Sequence, residues 1–233
     1  MRWFILIAAA ALLMFGCAQQ PSTTTGTRAV LPGSDVQVSG FLGDYSKLTP
    51  VPGQADQWQW VKPGVNWRPY TKIFIPPVEV WINPASAYPV VQPDLYKQMT
   101  DTFRTLTADE FRAGGYEIVD QPGPNVLVLR YALTGVTPER PGLTPLDLLP
   151  VKIAVDATRY ATGTDKTVIV ISGEVEALDG ATKERLFAEV AIRRDYHMFI
   201  GKQLTWDDLR NGATNWAKQS RLRLDRARGV QPG

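Results

Sequence analysis

The chain has 233 residues, enough for one large domain or two small ones, with 44% hydrophobic and 21% charged residues. That balance supports a buried core and excludes intrinsic disorder, while 18 prolines and 19 glycines exclude long coiled coils and uninterrupted helical bundles. The formal charge of +2, from 25 basic and 23 acidic residues, gives no footprint for nucleic acid, and none is expected as a partner.

The chain opens Met1-Arg2 and then runs uncharged and apolar from Trp3 to Phe15, before Gly16-Cys17. As a helix this run rises about 20 Å against a hydrocarbon core of roughly 30 Å, so it reads as a secretory leader rather than a permanent span. Cys17 is the single cysteine of the sequence. Met14-Phe15-Gly16-Cys17 resembles the bacterial lipoprotein processing box, in which a small residue precedes the cysteine that becomes the lipidated first residue. Met14 stands where leucine is usual, and Phe15 is bulkier than the usual alanine or serine. The resemblance implies a thioether to diacylglycerol, cleavage ahead of Cys17, and acylation, as by palmitate, of the new amino terminus. Each buried methylene contributes about 0.8 kcal/mol, so several chains on one residue anchor a domain that one chain would hold only marginally. The alternative is an ordinary cleaved leader whose cysteine is lost or left as a free thiol. With Cys17 used in this way, no internal disulfide can form and the domain rests on its hydrophobic core. Ala18, where an aspartate would resemble an inner-membrane retention signal, resembles sorting to the outer membrane, on its periplasmic face.

Residues 1–16 are therefore expected to be a signal peptide, 17–40 the lipidated cysteine and a flexible tether, and 41–233 one periplasmic domain. The tether reading rests on the polar, turn-rich stretches Gln19-Gln20-Pro21-Ser22 and Leu31-Pro32-Gly33-Ser34. Phe41 to Leu48 opens the folded part, and Val51 to Tyr70 follows as an irregular arm with prolines at 52, 63 and 69. Thr71 to Trp81 reads as a first strand, broken by Pro76-Pro77. Leu95, Met99, Phe103, Leu106 and Phe111 fall at helical spacing between Asp94 and Ala113, and Gly114-Gly115 supplies a stop. Tyr116–Val119 and Val126–Leu133 read as strands joined by a turn. The proline-punctuated stretch 135–166 reads as a long excursion packed on the domain. Thr167–Leu178 and Arg185–Arg194 form a hairpin around Asp179-Gly180-Ala181-Thr182-Lys183-Glu184. A last helix spans about Thr205 to Arg228, with Trp206, Leu209, Ala213, Trp216, Ser220 and Leu224 along one stripe. This order predicts an α+β fold: a single compact domain with a mostly antiparallel sheet and two helices packed on one face.

Ser39-Gly40-Phe41-Leu42-Gly43-Asp44-Tyr45-Ser46-Lys47-Leu48, after a lipoprotein leader and a polar tether, resembles the opening of the bacterial lipoproteins grouped as the domain-of-unknown-function 3313 family. Tyr70 to Val78, the helix ending in Gly114-Gly115, the Gln121-Pro122-Gly123-Pro124 turn and Gly173 to Asp179 resemble successive family segments. The hairpin turn departs from the family pattern, with Ala181-Thr182-Lys183 where a small residue, threonine and glycine are usual. The resemblance implies a location and a fold, and no activity.

Few residues carry chemistry. His197 is the only histidine, which disfavours a nucleophile triad or a multi-histidine metal site; no metal and no cofactor are expected. Glu174 and Glu176 share a strand face about 7 Å apart, a separation compatible with the paired carboxylates of glycoside hydrolysis, although exposed glutamates on a half-buried strand are far commoner than catalytic pairs. Trp58, Trp60 and Trp67 crowd the irregular arm, where their faces could stack on sugar or a partner, or be buried as the arm wraps the domain. Lys218, Arg221, Arg223, Arg226 and Arg228 make the last helix basic, either as a solvated face or as a contact for anionic lipid or glycan. The expectation is a non-catalytic, lipid-anchored envelope protein. It meets the membrane through Cys17, and meets an envelope protein or peptidoglycan through Trp58, Trp60, Trp67 or Arg221. The alternative is a glycan-acting enzyme using Glu174 and Glu176.

Overall fold

The structure, a computed structural model, describes residues 30–34, 36–82, 93–139, 166–199 and 206–230. In chain order the elements are β1 (Thr49–Pro50), β2 (Gln57–Val61), β3 (Lys72–Phe74), β4 (Glu79–Val80), α1 (Pro93–Ala113), β5 (Glu117–Ile118), β6 (Val126–Glu139), β7 (Lys166–Asp179), β8 (Arg185–Phe199) and α2 (Trp206–Arg228). The strands make one sheet in the order β1-β2-β8-β7-β6-β3-β5, with β4 also paired to β6. The long ladders β6/β7 and β7/β8 are antiparallel, whereas the short strands β3 and β4 run parallel to β6, against Val126–Val128 and Ala132–Leu133. The α+β architecture is the one the sequence predicts.

Strand alternation sorts side chains to two faces. Leu127, Leu129 and Tyr131 of β6, Ala177 of β7 and Phe187 of β8 meet Ile73, Ile75, Phe111 and Leu224 in the main core, beneath α1 and α2. Leu133 and Ile171 extend that layer against Met99 and Trp216. Gly173 of β7 makes room there: a Cβ on it would lie 2.9 Å from the Trp216 ring. The opposite face, with Ala132, Ala188, Val190 and Trp58, is covered by Leu31, Val38, Phe41, Leu42, Tyr45 and Leu48.

α1 starts on Pro93, whose missing N–H costs nothing at a first helical position. It ends as the sequence predicts: Gly115 takes φ +81°, Tyr116 N–H bonds the Phe111 carbonyl at 3.0 Å and Gly115 N–H that of Arg112 at 2.9 Å, closing two otherwise orphaned carbonyls. The Tyr116 ring then packs on Phe111, centroids 5.3 Å apart.

Four sequence expectations shift. The packed part begins before residue 40, because Leu31 and Val38 are buried; residues 1–29, including Cys17 and most of the expected tether, lie outside the described residues. The supposedly irregular arm contains β2, which pairs with β8 from Gln57↔Ala191 to Val61↔Phe187. The predicted first strand is two, β3 and β4, separated by Pro76-Pro77, which cannot donate to the β6 ladder. Finally, β6 continues to Glu139 through an irregularity between Leu133 and Gly135, so only the middle of the expected excursion, residues 140–165, lies outside the described residues.

The β7–β8 turn explains the departure at Lys183. Its backbone takes φ +62°, a left-handed conformation that costs a side-chain-bearing residue about 1–2 kcal/mol relative to glycine. Asp179 holds the turn by accepting from Thr182 N–H at 2.7 Å, Ala181 N–H at 3.0 Å and the Tyr70 hydroxyl at 2.6 Å. The Tyr70 bond leads the groups that hold its carboxyl below the ordinary value of 3.8. Because Lys183 is exposed and its side chain contributes little packing, Lys183→Gly is expected to raise stability by about 1 kcal/mol, read as a higher urea midpoint. The depressed Asp179 pKa means that its stabilisation is complete above the unfolded value and is lost as pH falls through the lower folded one. Asp179→Asn should therefore cost about 1 kcal/mol at neutral pH and flatten the loss of stability below about pH 4.

Candidate functional site

The two strand carboxylates do not face solvent. Glu174 and Glu176 are 3% and 2% exposed, on the sheet face covered by the opening segment. Glu174 Oε1 accepts from Ser39 N–H at 3.1 Å and Oε2 from the Tyr45 hydroxyl at 2.6 Å. That hydroxyl in turn accepts from the N–H groups of Gly40 at 2.9 Å and Leu42 at 3.1 Å, which uses the phenol oxygen as donor and double acceptor. Burial, reinforced by the bond to Glu174, pushes the Tyr45 pKa up to about 12, so it stays a donor at all physiological pH.

Glu176 is held by two guanidinium groups. Arg130 pairs with Oε1, and Arg185 Nε with Oε2 at 2.7 Å. Arg130 also reaches Glu79 Oε1 at 2.7 Å and lies over the Phe41 ring, 4.8 Å from its centroid. Arg185 also donates to the carbonyls of Leu42 and, at 3.2 Å, Asp44. All four carboxylate oxygens are thus engaged in clasping residues 39–45 onto the sheet, and the pair is not presented to a substrate as the enzymatic alternative requires. The exposed-glutamate reading fails as well, because the covering segment lies about 130 residues away in sequence.

The tryptophans separate. Trp58 is 4% exposed and donates Nε1–H to the Pro32 carbonyl at 3.3 Å, so it is an anchor for the opening segment rather than a contact surface. Trp67 is half-buried against the main core, tilted on Tyr70 with centroids 6.1 Å apart. Trp60 alone of the three borders a polar cleft of about 270 Å³, with Asp44, Lys47, Lys62, Glu184 and Arg185 around it. Lys47 Nζ sits 5.1 Å from the Trp60 ring centroid, and Lys62 pairs with Glu184. Asp44 accepts from Ser46 N–H at 2.9 Å and Oγ–H at 2.7 Å; the Oγ–H bond leads in drawing its carboxyl below the usual range.

Arg221 lies between the helices. It is 8% exposed and joins the helices: Nε bonds Glu110 Oε1 of α1 at 2.8 Å, and Nη1 pairs with Asp225, whose other oxygen accepts from the Tyr116 hydroxyl at 2.6 Å. Its i,i+4 spacing to Asp225 puts the two on one helix face, which here packs against Glu110 of α1. His197 lies on β8 opposite Val168. Trp81, passed over in the sequence, is 40% exposed, edge-on to Phe41 at 6.1 Å and bonded through Nε1–H to Glu79 at 2.8 Å. Its only sequence cue was one apolar residue at the end of a proline-broken strand.

An apolar hollow of about 100 Å³ lies between the sheet and the helices, bounded by Met99, Phe103, Leu133, Ile171 and Trp216. The Glu189–Arg223 ion pair, 2.7 Å, flanks it. Hydrocarbon dominates its lining, whereas charged side chains border the Trp60 cleft. Among the described residues there is no group of three or more His, Cys, Asp or Glu placed to hold a metal ion, and no helix long and apolar enough to cross a membrane.

The clasp predicts a stability ranking. Removing one member of a fully buried ion pair costs about 3–5 kcal/mol. Arg130 and Arg185 retain 33% and 28% side-chain exposure and can be rehydrated, so Glu176→Ala should cost about 2–3 kcal/mol. Glu184→Ala, which breaks the more exposed pair with Lys62, should cost under about 1 kcal/mol. Urea midpoints of the two variants check the order.

The profile of DUF3313, described as a protein of unknown function, matches residues 37–220. The chain is 32% identical over 155 residues to the uncharacterized lipoprotein YdcL of Escherichia coli, a match covering 63% of this chain and 66% of YdcL, just under two thirds of that protein's length. Among solved structures, a PelC dodecamer from Paraburkholderia phytofirmans aligns with TM-score 0.38 at 13% identity, over 76% of this chain and 98% of that one. A minor lipoprotein from Acinetobacter baumannii aligns with TM-score 0.32 at 15% identity, over 68% of this chain and 93% of that one. Since the matched span runs from just ahead of Ser39 and includes every residue of the carboxylate clasp, the chain belongs to the DUF3313 family.

Proposed function

We propose that this chain is a lipid-anchored envelope protein, fixed through Cys17 to the periplasmic face of the bacterial outer membrane, whose domain is a non-catalytic module that binds another envelope component, a protein or peptidoglycan. The observation that carries the reading is the position of Cys17 directly after an apolar leader and a glycine. The lipoprotein name of the relative YdcL supports it. Ala18 in place of aspartate favours the outer membrane.

Binding is favoured over chemistry because Glu174 and Glu176 are consumed in the clasp, whereas the cleft beside Trp60 offers an aromatic face and charged groups. The packed part begins by Leu31, so a polar linker from Cys17 holds the domain roughly 20 Å from the bilayer. That leash is short enough to keep the cleft near the membrane and long enough to let it turn.

Metabolic labelling with palmitate tests the anchor. The natural chain is expected to incorporate label and to sediment with outer membranes, and Cys17→Ser to lose both. An unlabelled natural chain, or a labelled Cys17→Ser variant, would overturn the reading.

A further inference from the structure

We propose that the cleft beside Trp60 binds a saccharide, and that it selects a pyranose carrying a carboxylate. The proposal rests on the reading of the domain as a binding module and names that module's ligand class. Three features of the cleft converge on it.

The first is an aromatic platform on a rigid support. Trp60 is held in β2 by register with Ala188 of β8, and its half-buried indole leaves a face toward the cleft. A sugar's C–H face packs on such a ring while its hydroxyls remain free to bond at the edge. The second is the rim. Lys62 and Glu184, paired with each other and 35% and 54% exposed, offer donors and acceptors that hydroxyl or acetamido groups can share without leaving a buried charge unpaired. The third is a cation outside any ion pair with a described residue, whose charge reaches Asp44 only through space. Arg185 is committed to Glu176 and Lys62 to Glu184, but Lys47 makes no ion pair with a described residue and rests over the indole instead. An exposed cation–π contact contributes only about 0.5–1 kcal/mol, so a ligand that takes the ring face and offers Lys47 a carboxylate replaces a weak contact by a charge-assisted bond.

The pairing of the charges sets the anion. Of the three cations that border the cleft, Arg185 is answered by the buried Glu176 and Lys62 by Glu184, which leaves Lys47 as the one outside an ion pair with a described residue. A single flexible ammonium matches a single carboxylate better than a phosphate, which guanidinium groups recognise in bidentate fashion. The site also depends on the clasp. Asp44 and Lys47 come from the opening segment, Trp60, Lys62 and Glu184 from the sheet and its turn, and Arg185 fastens one to the other.

Carboxylated pyranoses in an envelope come from cell-wall glycan, through its lactyl ether, or from the acidic octulosonate of lipopolysaccharide. Saturation-transfer NMR on the full-length chain in detergent separates the sources, using an N-acetylglucosaminyl-N-acetylmuramic acid disaccharide, free 3-deoxyoctulosonate and neutral di-N-acetylchitobiose as probes. One acidic sugar is expected to bind about tenfold more tightly than the neutral one. Lys47→Met, at an exposed position, should bring the acidic sugar down to the neutral level and so erase the preference between them. Trp60→Leu should abolish both, with Trp60→Phe retaining partial binding if loss of folding confuses the larger change. Absence of transfer from both acidic sugars, equal binding of acidic and neutral sugars, or indifference to Lys47→Met would overturn the proposal. Palmitate labelling of Cys17 is scored separately, so a labelled lipoprotein that binds no sugar sinks this inference and leaves the anchored-module reading standing.

Discussion

Two carboxylates placed two residues apart on the central strand β7 have been taken out of water, and a buried carboxylate is tolerable only if its oxygens are bonded and its charge is met. Neither Glu174 nor Glu176 finds its partners within its own hairpin alone. Glu174 takes a hydroxyl and a backbone amide from the opening segment; Glu176 takes one guanidinium from β6 and another from β8, and the second of these also grips the opening segment by two carbonyls. The sheet therefore has two covered faces for two different reasons. Helices α1 and α2 cover one by apolar contact, and residues 31–48 cover the other by apolar contact organised around charge.

This division explains why an irregular segment can lie flat on a sheet without a disulfide. Leu31, Val38, Phe41, Leu42 and Leu48 supply buried area, but area is non-directional and would allow the segment to slide. Tyr45 and Arg185 provide direction, since each joins a fixed carboxylate to specific backbone atoms of that segment. Arg221 does the corresponding work between the helices, joining Glu110 of α1 to Asp225 of α2 while Tyr116 completes the second carboxylate. Both devices cost desolvation and return specificity of arrangement more than net stability. The Trp60 cleft is a by-product of the first device, because its walls belong to the two parts that the clasp brings together.

The hairpin turn shows a local compromise of the opposite kind. Asp179 satisfies so many turn donors that the geometry persists even with Lys183 at a left-handed position that favours glycine. Here the side chain at one position overrides the backbone preference at another, and the β7–β8 ladder resumes beyond the turn with an irregularity between Ala177 and Leu178.

Periodicity and punctuation by themselves determined the two helices, the stop at Gly114-Gly115, the β7–β8 hairpin and the α+β class, because each depends on contacts within a few residues or on a repeat read along one element. The proposed leader rests on the same kind of signal, a contiguous run ending in Cys17, and lies outside the described residues. The fate of Glu174, Glu176, Trp58 and Arg221 was not, although each had been singled out: whether a strand face or a helix face meets water depends on which remote segment lies over it, and no spacing within β7 or α2 encodes residues 39–45 or α1. The strand β2 was hidden for a related reason, since its five residues become a strand by pairing with β8, more than 120 positions later. Tertiary structure alone decided that one tryptophan of three borders a polar cleft, because that outcome requires Lys47 and Asp44 to be carried onto the sheet by a clasp that joins residues about 130 positions apart.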